Sequence, residues 1–230
     1  MFTLSVIIPA YNEEKTIVEI LRLVDAQTVP EFEFEVVVVD DGSKDKAVEL
    51  LEANPSLYNK LIRLPKNGGK GAAVKAGLEA STGDYVIFQD ADLEYDPAEF
   101  TKLCRPVLEF DADLVMSSRF AAPEFTRVSC FWNKVGNHVI TFIFNILNNT
   151  TFTDIYSCYM LYKRRLVDVD KIRTTGWEQH AEILSRAVGN GRNIYEVPIS
   201  YHGRTIEEGK KIRPHHVFAV IWTIIRCRLA

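Results

Sequence analysis

Asp90, Asp92, Glu94 and Asp96 stand at every second position in the stretch FQDADLEYDP. They follow a run of β-formers, Tyr85 to Phe88. On an extended backbone, side chains two residues apart point the same way. Asp90 and Asp92 would therefore repel one another unless a cation or a shared proton relieves them. A hard divalent ion such as Mg²⁺ does so, taking one or two carboxylates and completing its shell with water and substrate phosphate. Glu94 has the same parity and is a candidate third ligand, direct or through water. Asp96 reads differently. In Asp96-Pro97-Ala98-Glu99 it is the N-cap of a helix with proline at the first position and an acid at the third.

A second acidic pair, Asp40-Asp41, closes the apolar run VVVVDDGS. Ser43 suffices as the cap of the next helix, which leaves the acids to accept hydrogen bonds from a base or a ribose. In NGGKGAAVKAG, Gly68, Gly69 and Gly71 let backbone N–H groups approach an anion at a helix start, and Lys70 adds a point charge. Gly71 stands where a phosphate-binding Walker motif needs Ser or Thr, and a plain helix start reads equally well.

Around these residues the first 120 positions alternate. Strands are expected at 4–10, 34–41, 60–64, 84–90 and 112–118, with helices at 13–26, 44–53, 70–80 and 97–109. Continuous apolar strands alternating with helices mean a mostly parallel α/β sheet covered on both faces. Such sheets bind ligands beyond the carboxyl ends of their strands. Past residue 120, helices are expected at 129–147 and 177–188, a strand at 193–201 and a helical tail from His215. No repeat or linker divides the 230 residues, so a single domain is expected.

Net charge is −4, which argues against a general nucleic-acid binder. Cys104, Cys130, Cys158 and Cys227 are scattered, as in a reduced cytoplasmic chain. No apolar run reaches the roughly 18 residues of a membrane span. From His202 to Ala230 six Lys or Arg face two Glu. An apolar helix with basic ends can lie in a membrane interface, or simply pack the chain end.

PAYNEE, DDGS, GGKGAA and DADLEYDP, in this order, resemble the family 2 glycosyltransferases. SSRF, WNKVGN, TDIYSCYMLYKR, GWEQHAEI, EVPISYHGRT and EEGKKI extend the likeness to the dolichyl-phosphate mannose synthase branch, the polyprenyl-phosphate sugar transferases. The resemblance covers nearly the whole chain. It implies a GT-A fold, with residues 1–120 as the nucleotide-sugar half and 121–230 as the acceptor half. It implies a nucleotide-diphosphate sugar donor, UDP- or GDP-linked, a divalent cation (Mg²⁺ or Mn²⁺) and inversion at the anomeric carbon. By position, Pro9, Ala10, Tyr11 and Glu13 would line the nucleoside site with Asp40, assisted by Asp41. Lys70 would sit near the nucleotide. Asp90, Ala91 and Asp92 match the metal-binding D-x-D, with Glu94 as a further ligand. Arg119 would meet the acceptor phosphate, with Arg127 and Lys134 as further acceptor-side candidates. Arg204, Lys210 and Lys211 would close over the diphosphate. His180 stands where mannose synthases commonly have Gln, which leaves the sugar open.

The resemblance points to a polyprenyl or dolichyl phosphate acceptor, with the chain peripheral at the cytoplasmic face of a membrane. An anionic phosphate needs positioning more than deprotonation. A saccharide hydroxyl would instead need a general base, for which Asp154, Glu178 and Glu182 are candidates. Two further readings are a nucleotidyltransferase, which would release pyrophosphate, and a nucleotide-sugar-binding protein without turnover.

Overall fold

The computed structural model describes residues 1–121, 131–201 and 216–229. Its elements run β1 (Phe2–Ala10), α1 (Ile17–Asp25), β2 (Phe32–Asp40), α2 (Ala47–Glu52), β3 (Lys60–Arg63), α3 (Lys70–Ala80), β4 (Tyr85–Phe88), α4 (Phe100–Phe110), β5 (Leu114–Ser118), α5 (Phe131–Asn148), β6 (Met160–Lys163), α6 (Gln179–Asn190), β7 (Ile194–Pro198) and α7 (His216–Leu229). The strands form one sheet in the order β3-β2-β1-β4-β6-β5-β7. β1 pairs in parallel with β2 and β4, β2 with β3, and β5 with β7. β6 runs antiparallel to both β4 and β5.

The two antiparallel pairings leave β4 and β5 pointing the same way. The carboxyl ends of β1, β2, β4 and β5 therefore share one edge of the sheet. The expected α/β sheet is present, with one strand that the sequence reading missed. β6 is only four residues long.

The strands are apolar because helices cover them. Val36 to Val39 are buried on β2, and Tyr85 to Phe88 on β4. α1 presents Ile17, Ile20, Leu21 and Val24 to the core at helical spacing. α3 is held close by Gly77, where an added Cβ would lie 2.4 Å from the Ile7 side chain. The Asp96 cap is present: its side chain accepts from the Ala98 N–H at 2.9 Å, opening a 3₁₀ turn that runs into α4. Ser43 does not cap α2, which begins later, at Ala47. Its hydroxyl instead accepts from the Asn12 N–H at 2.9 Å, and Asn12 Oδ1 accepts from the Lys44 N–H at 2.8 Å. These bonds lace the β1 and β2 loops together at the sheet edge.

Candidate active site

A cleft of about 580 Å³ opens at this edge. Its floor is the turn after β4, fixed from below by Gln89, which is wholly buried. Gln89 Nε2 donates to the carbonyls of Asp90 and Tyr95 at 3.0 and 3.2 Å, and its Oε1 accepts from the Tyr159 hydroxyl at 2.7 Å. Leu93 takes φ 62, a left-handed conformation uncommon outside glycine, which turns the chain sharply after Asp92.

Pro9, Ala10, Tyr11, Glu13, Asp41, Lys70, Asp90, Ala91, Asp92, Glu94 and Arg119 all line this cleft. Eleven of the residues named from sequence thus come together from five separate segments. Asp40 does not line it. It is buried, accepts from the Ser43 N–H, and faces an adjoining hollow of about 590 Å³ that shares Tyr11 and Asn67 with the cleft. Arg127, Arg204, Lys210 and Lys211 lie outside the described residues. Lys134 is exposed on α5, its ammonium 5.6 Å from the Phe120 ring centre.

Lys70 reaches across to Asp90, Nζ to Oδ1 2.5 Å. Burial disfavours both charges, yet each holds the other ionised: the Asp90 pKa is lowered and that of Lys70 raised. The Cys158 thiol sits beside them, its pKa pushed well above the ordinary value by burial and then by the Asp90 charge. Glu94 is not gathered with the aspartates as a third ligand. Its carboxylate accepts the Tyr201 hydroxyl at 2.6 Å, while its N–H donates to Asp92 Oδ1 at 3.1 Å. Among the described residues no group of three or more His, Cys, Asp or Glu is placed to hold a metal. Asp90 and Asp92 nevertheless supply what Mg²⁺ or Mn²⁺ would take from a protein when diphosphate and water complete its shell. The donor set fits such an ion.

The glycine loop, which reads equally as an anion cradle or a plain helix start, turns its N–H groups to the chain itself. Gly68 and Gly69 donate their N–H groups to the two Asp41 oxygens at 2.8 and 2.9 Å, and Gly71 donates to the Thr175 carbonyl at 2.8 Å. All three N–H groups are spent within the chain. The glycines are needed for close approach: an added Cβ at Gly71 would lie 2.5 Å from the Thr175 carbonyl carbon. Asp41 thus anchors the loop while still lining the cleft.

Arg119, just past β5, forms a two-point pair with Asp154, Nε–Oδ2 2.6 Å and Nη2–Oδ1 2.9 Å. Its guanidinium also lies 5.2 Å from the Tyr201 ring centre. Asp154 is fully buried, so it is the partner of Arg119 rather than a base facing solvent. Glu182 is also fully buried. It accepts from the Arg173 and Thr174 N–H groups and the Thr174 hydroxyl, and pairs with Arg186 and Arg226, tying α7 to α6. It does not line the cleft, and neither does Glu178. Gln179 and Tyr201, both on the cleft wall, had no individual signal in the sequence.

The upper wall is largely apolar, with Asn133 and Asn137 of α5 set among its side chains. Trp132 and Ile140 of α5 and Val217 and Val220 of α7 line the cleft. The outer faces of the same helices carry Phe131, Phe142, Ile146, Phe218 and Trp222, each more than 60% exposed. No helix among the described residues is long and apolar enough to cross a membrane.

Residues 5–169 match the family described as Glycosyl transferase family 2. The chain is 30% identical over 203 residues to the low-salt glycan biosynthesis hexosyltransferase Agl6 of Haloferax volcanii, covering 88% of this chain and 48% of that protein. It is 31% identical over 211 residues to the undecaprenyl-phosphate 4-deoxy-4-formamido-L-arabinose transferase of Pseudomonas aeruginosa, covering 90% of this chain and 59% of that one. The chain thus spans about half to three-fifths of the length of these relatives. Among solved structures, glucosyl-3-phosphoglycerate synthase of Mycobacterium tuberculosis, in complex with Mn²⁺, UDP and glucosyl-3-phosphoglycerate, aligns with a TM-score of 0.70 at 21% identity, over 98% of this chain and 80% of that one. S. aureus TarS 1-349 in complex with UDP-GlcNAc aligns with a TM-score of 0.65 at 21% identity, over 98% and 66%. These likenesses show the GT-A fold. With a matching sequence family, a shared fold and the D-x-D turn on the cleft floor, the chain belongs to glycosyl transferase family 2.

Proposed function

We propose that this chain is the catalytic domain of an inverting, metal-dependent glycosyltransferase that moves a sugar from a nucleoside-diphosphate sugar to a polyprenyl phosphate. The observation that carries the reading is the pairing of two charged stations in one cleft beneath an apolar wall. Asp90 and Asp92 stand just past β4 with Lys70 of α3 paired to Asp90, Arg119 stands just past β5, and α5 and α7 roof the space. The Pseudomonas relative is named for an undecaprenyl-phosphate acceptor, and the mycobacterial synthase binds UDP with Mn²⁺.

On this reading the nucleoside occupies the hollow bounded by Tyr11 and Asp40, and the diphosphate lies over Lys70 and Asp92. A divalent ion on Asp90 and Asp92 would neutralise charge on the departing diphosphate. Lys70 contributes fixed positive charge in a partly dry site, where it counts for more than in water. Arg119, already oriented by Asp154, holds the acceptor phosphate opposite the leaving group. That phosphate is anionic near neutral pH and attacks without a base. Two of the three carboxylates named as bases for a hydroxyl acceptor, Asp154 and Glu182, are buried and committed to arginine partners, which favours the phosphate acceptor. The lipid tail leaves along the apolar wall.

The same face then meets the membrane. The exposed aromatic residues of α5 and α7, with Arg226 and Arg228 in the last turn of α7, suit a lipid interface. The free thiols Cys104, Cys158 and Cys227 agree with a position on the cytoplasmic side. Residues 1–120 supply the donor half and 121–230 the acceptor half of one domain.

Calorimetry with UDP- and GDP-sugars, with and without Mn²⁺ or Mg²⁺, tests the donor half of the reading. One donor is expected to bind in a metal-dependent manner and to weaken at least tenfold in Asp92→Ala. Failure of every nucleotide sugar to bind under all metal conditions would contradict it.

A further inference from the structure

We propose that Gln179 and His180 are the specificity-determining residues that read hydroxyl groups of the transferred sugar. The inference rests on the donor reading above and deepens it.

Both residues open α6, and both line the cleft. Gln179 Oε1 and His180 Nε2 are buried atoms with no hydrogen-bond partner among the described residues. Gln179 as a whole is only 2% exposed. Buried polar atoms are almost always paired, so each exception calls for a reason. Other unpartnered atoms, such as Tyr162 Oη and Ser185 Oγ, belong to residues away from the cleft. Two such residues in succession on one wall of a binding cleft mark a place where a ligand supplies the missing partners.

Their position says which part of the ligand. Tyr156, whose ring packs against His180, donates its N–H to Asp154 Oδ1, the partner of Arg119, at 3.1 Å, while Trp177, three residues before His180, lies against Lys70, the partner of Asp90. In an inverting displacement the sugar must sit between the departing diphosphate and the attacking phosphate. A residue between the two charged stations therefore faces the sugar.

The surroundings fit a hydroxylated ring. The Tyr156 ring lies 5.8 Å from the His180 ring, and the Tyr156 hydroxyl donates to the Trp177 carbonyl at 3.3 Å. The Trp177 ring lies 5.4 Å from Lys70 Nζ. Burial, then the Lys70 charge, hold the His180 pKa down at about 4, so its imidazole is neutral and adds no charge to the pocket. An amide oxygen accepts and a neutral imidazole nitrogen donates or accepts. Sugar hydroxyls can satisfy both at once. A sugar lacking the hydroxyl would leave buried polar atoms unpaired and be rejected accordingly.

The test uses Gln179→Met and His180→Phe, which keep side-chain bulk and remove the polar atoms, and His180→Gln, which restores a polar group. Calorimetry in the presence of Mn²⁺ would compare bare UDP and GDP with UDP-glucose, UDP-N-acetylglucosamine and GDP-mannose. The expected result is a loss of about tenfold in affinity for the preferred nucleotide sugar in each apolar variant. Affinity for the bare nucleotide should hold within about twofold, with partial recovery in His180→Gln. The melting temperature of the ligand-free apolar variants should hold or rise, because each removes an unpaired buried polar atom. Unchanged sugar affinity in both apolar variants, or equal losses for sugar and bare nucleotide, would overturn the inference. Nucleotide binding by the wild type without any gain from an attached sugar would overturn it too. No nucleotide binding at all would instead remove the donor reading beneath it.

Discussion

Asp154 grips Arg119 at two points from a fully buried position, with Nε–Oδ2 2.6 Å and Nη2–Oδ1 2.9 Å, and so fixes the guanidinium plane on the cleft wall. A fork held in this way loses little further freedom on meeting a phosphate. Asp154→Asn keeps the shape and removes the charge. We expect KM for the lipid phosphate to rise about tenfold while the donor Kd stays within about twofold, measured by steady-state transfer and by calorimetry. Asp154→Ala strands a mostly buried cation and should cost about 3 kcal/mol in urea unfolding. An equal loss of donor and acceptor affinity in Asp154→Asn would argue for a merely structural role.

Glu35 gives the fold an acid-sensitive joint. It accepts from Ser5 Oγ at 2.5 Å, from Lys60 Nζ at 2.7 Å and from the Thr82 N–H at 2.8 Å, joining β2 to β1, β3 and the approach to β4. Burial pushes its pKa up, but Lys60, Ser5 and Thr82 outweigh this and hold it at about 2 against an ordinary 4.5. A depressed folded pKa gives stability that is full above about pH 4.5 and lost as pH falls toward 2. Solvent screening leaves a contribution of about 1–3 kcal/mol. Glu35→Gln should lose about that much at pH 7 and flatten the acid limb between pH 4.5 and 2 in urea titrations. An acid limb of unchanged slope would contradict the assignment.

Gly71→Ala should destabilise the chain by about 1–3 kcal/mol, because backbone atoms of Thr175 occupy the space that the new Cβ needs. Donor affinity should fall with it, since Lys70 is the first residue of the same helix. Thermal unfolding and donor calorimetry on one preparation check both effects. A variant with wild-type stability would mean that the Gly71–Thr175 approach relaxes freely.

Phe142→Glu with Trp222→Glu places charge on the exposed apolar faces of α5 and α7, where each wild-type residue is 65% exposed. Vesicle co-sedimentation should fall at least tenfold with little change in melting temperature. Added salt should weaken the wild-type interaction with anionic vesicles. Undiminished co-sedimentation would remove this face from the membrane reading.

Much of the frame was legible because its signals are local. Buried strands such as Val36–Val39 read as apolar runs, α1 as a 3.6-residue stripe, and Asp96-Pro97 as a helix start. The acids at 90 and 92 were found because apolar β-formers lead straight into them. What stayed hidden depends on partners far away in the chain. β6 is four residues long, and nothing in its composition says that it runs against its neighbours. The N–H groups of Gly68 and Gly69 could not be known to meet Asp41, 27 and 28 residues earlier. Asp154 reads as a candidate base until its bond to Arg119, 35 residues back, is seen. Glu182 likewise reads as a candidate base, but the fold buries it and pairs it with Arg186 and, from α7, Arg226.

The central claim is transfer to a lipid phosphate. The most direct measurement incubates the chain with Mn²⁺, the nucleotide sugar selected by calorimetry, and either a polyprenyl phosphate or the matching polyprenol, and follows label into the lipid phase. The account predicts label in the phosphate reaction alone, lost on omitting the metal and reduced at least a hundredfold in Arg119→Ala. Equal labelling of the polyprenol, or labelling of the phosphate that survives Arg119→Ala, would contradict it.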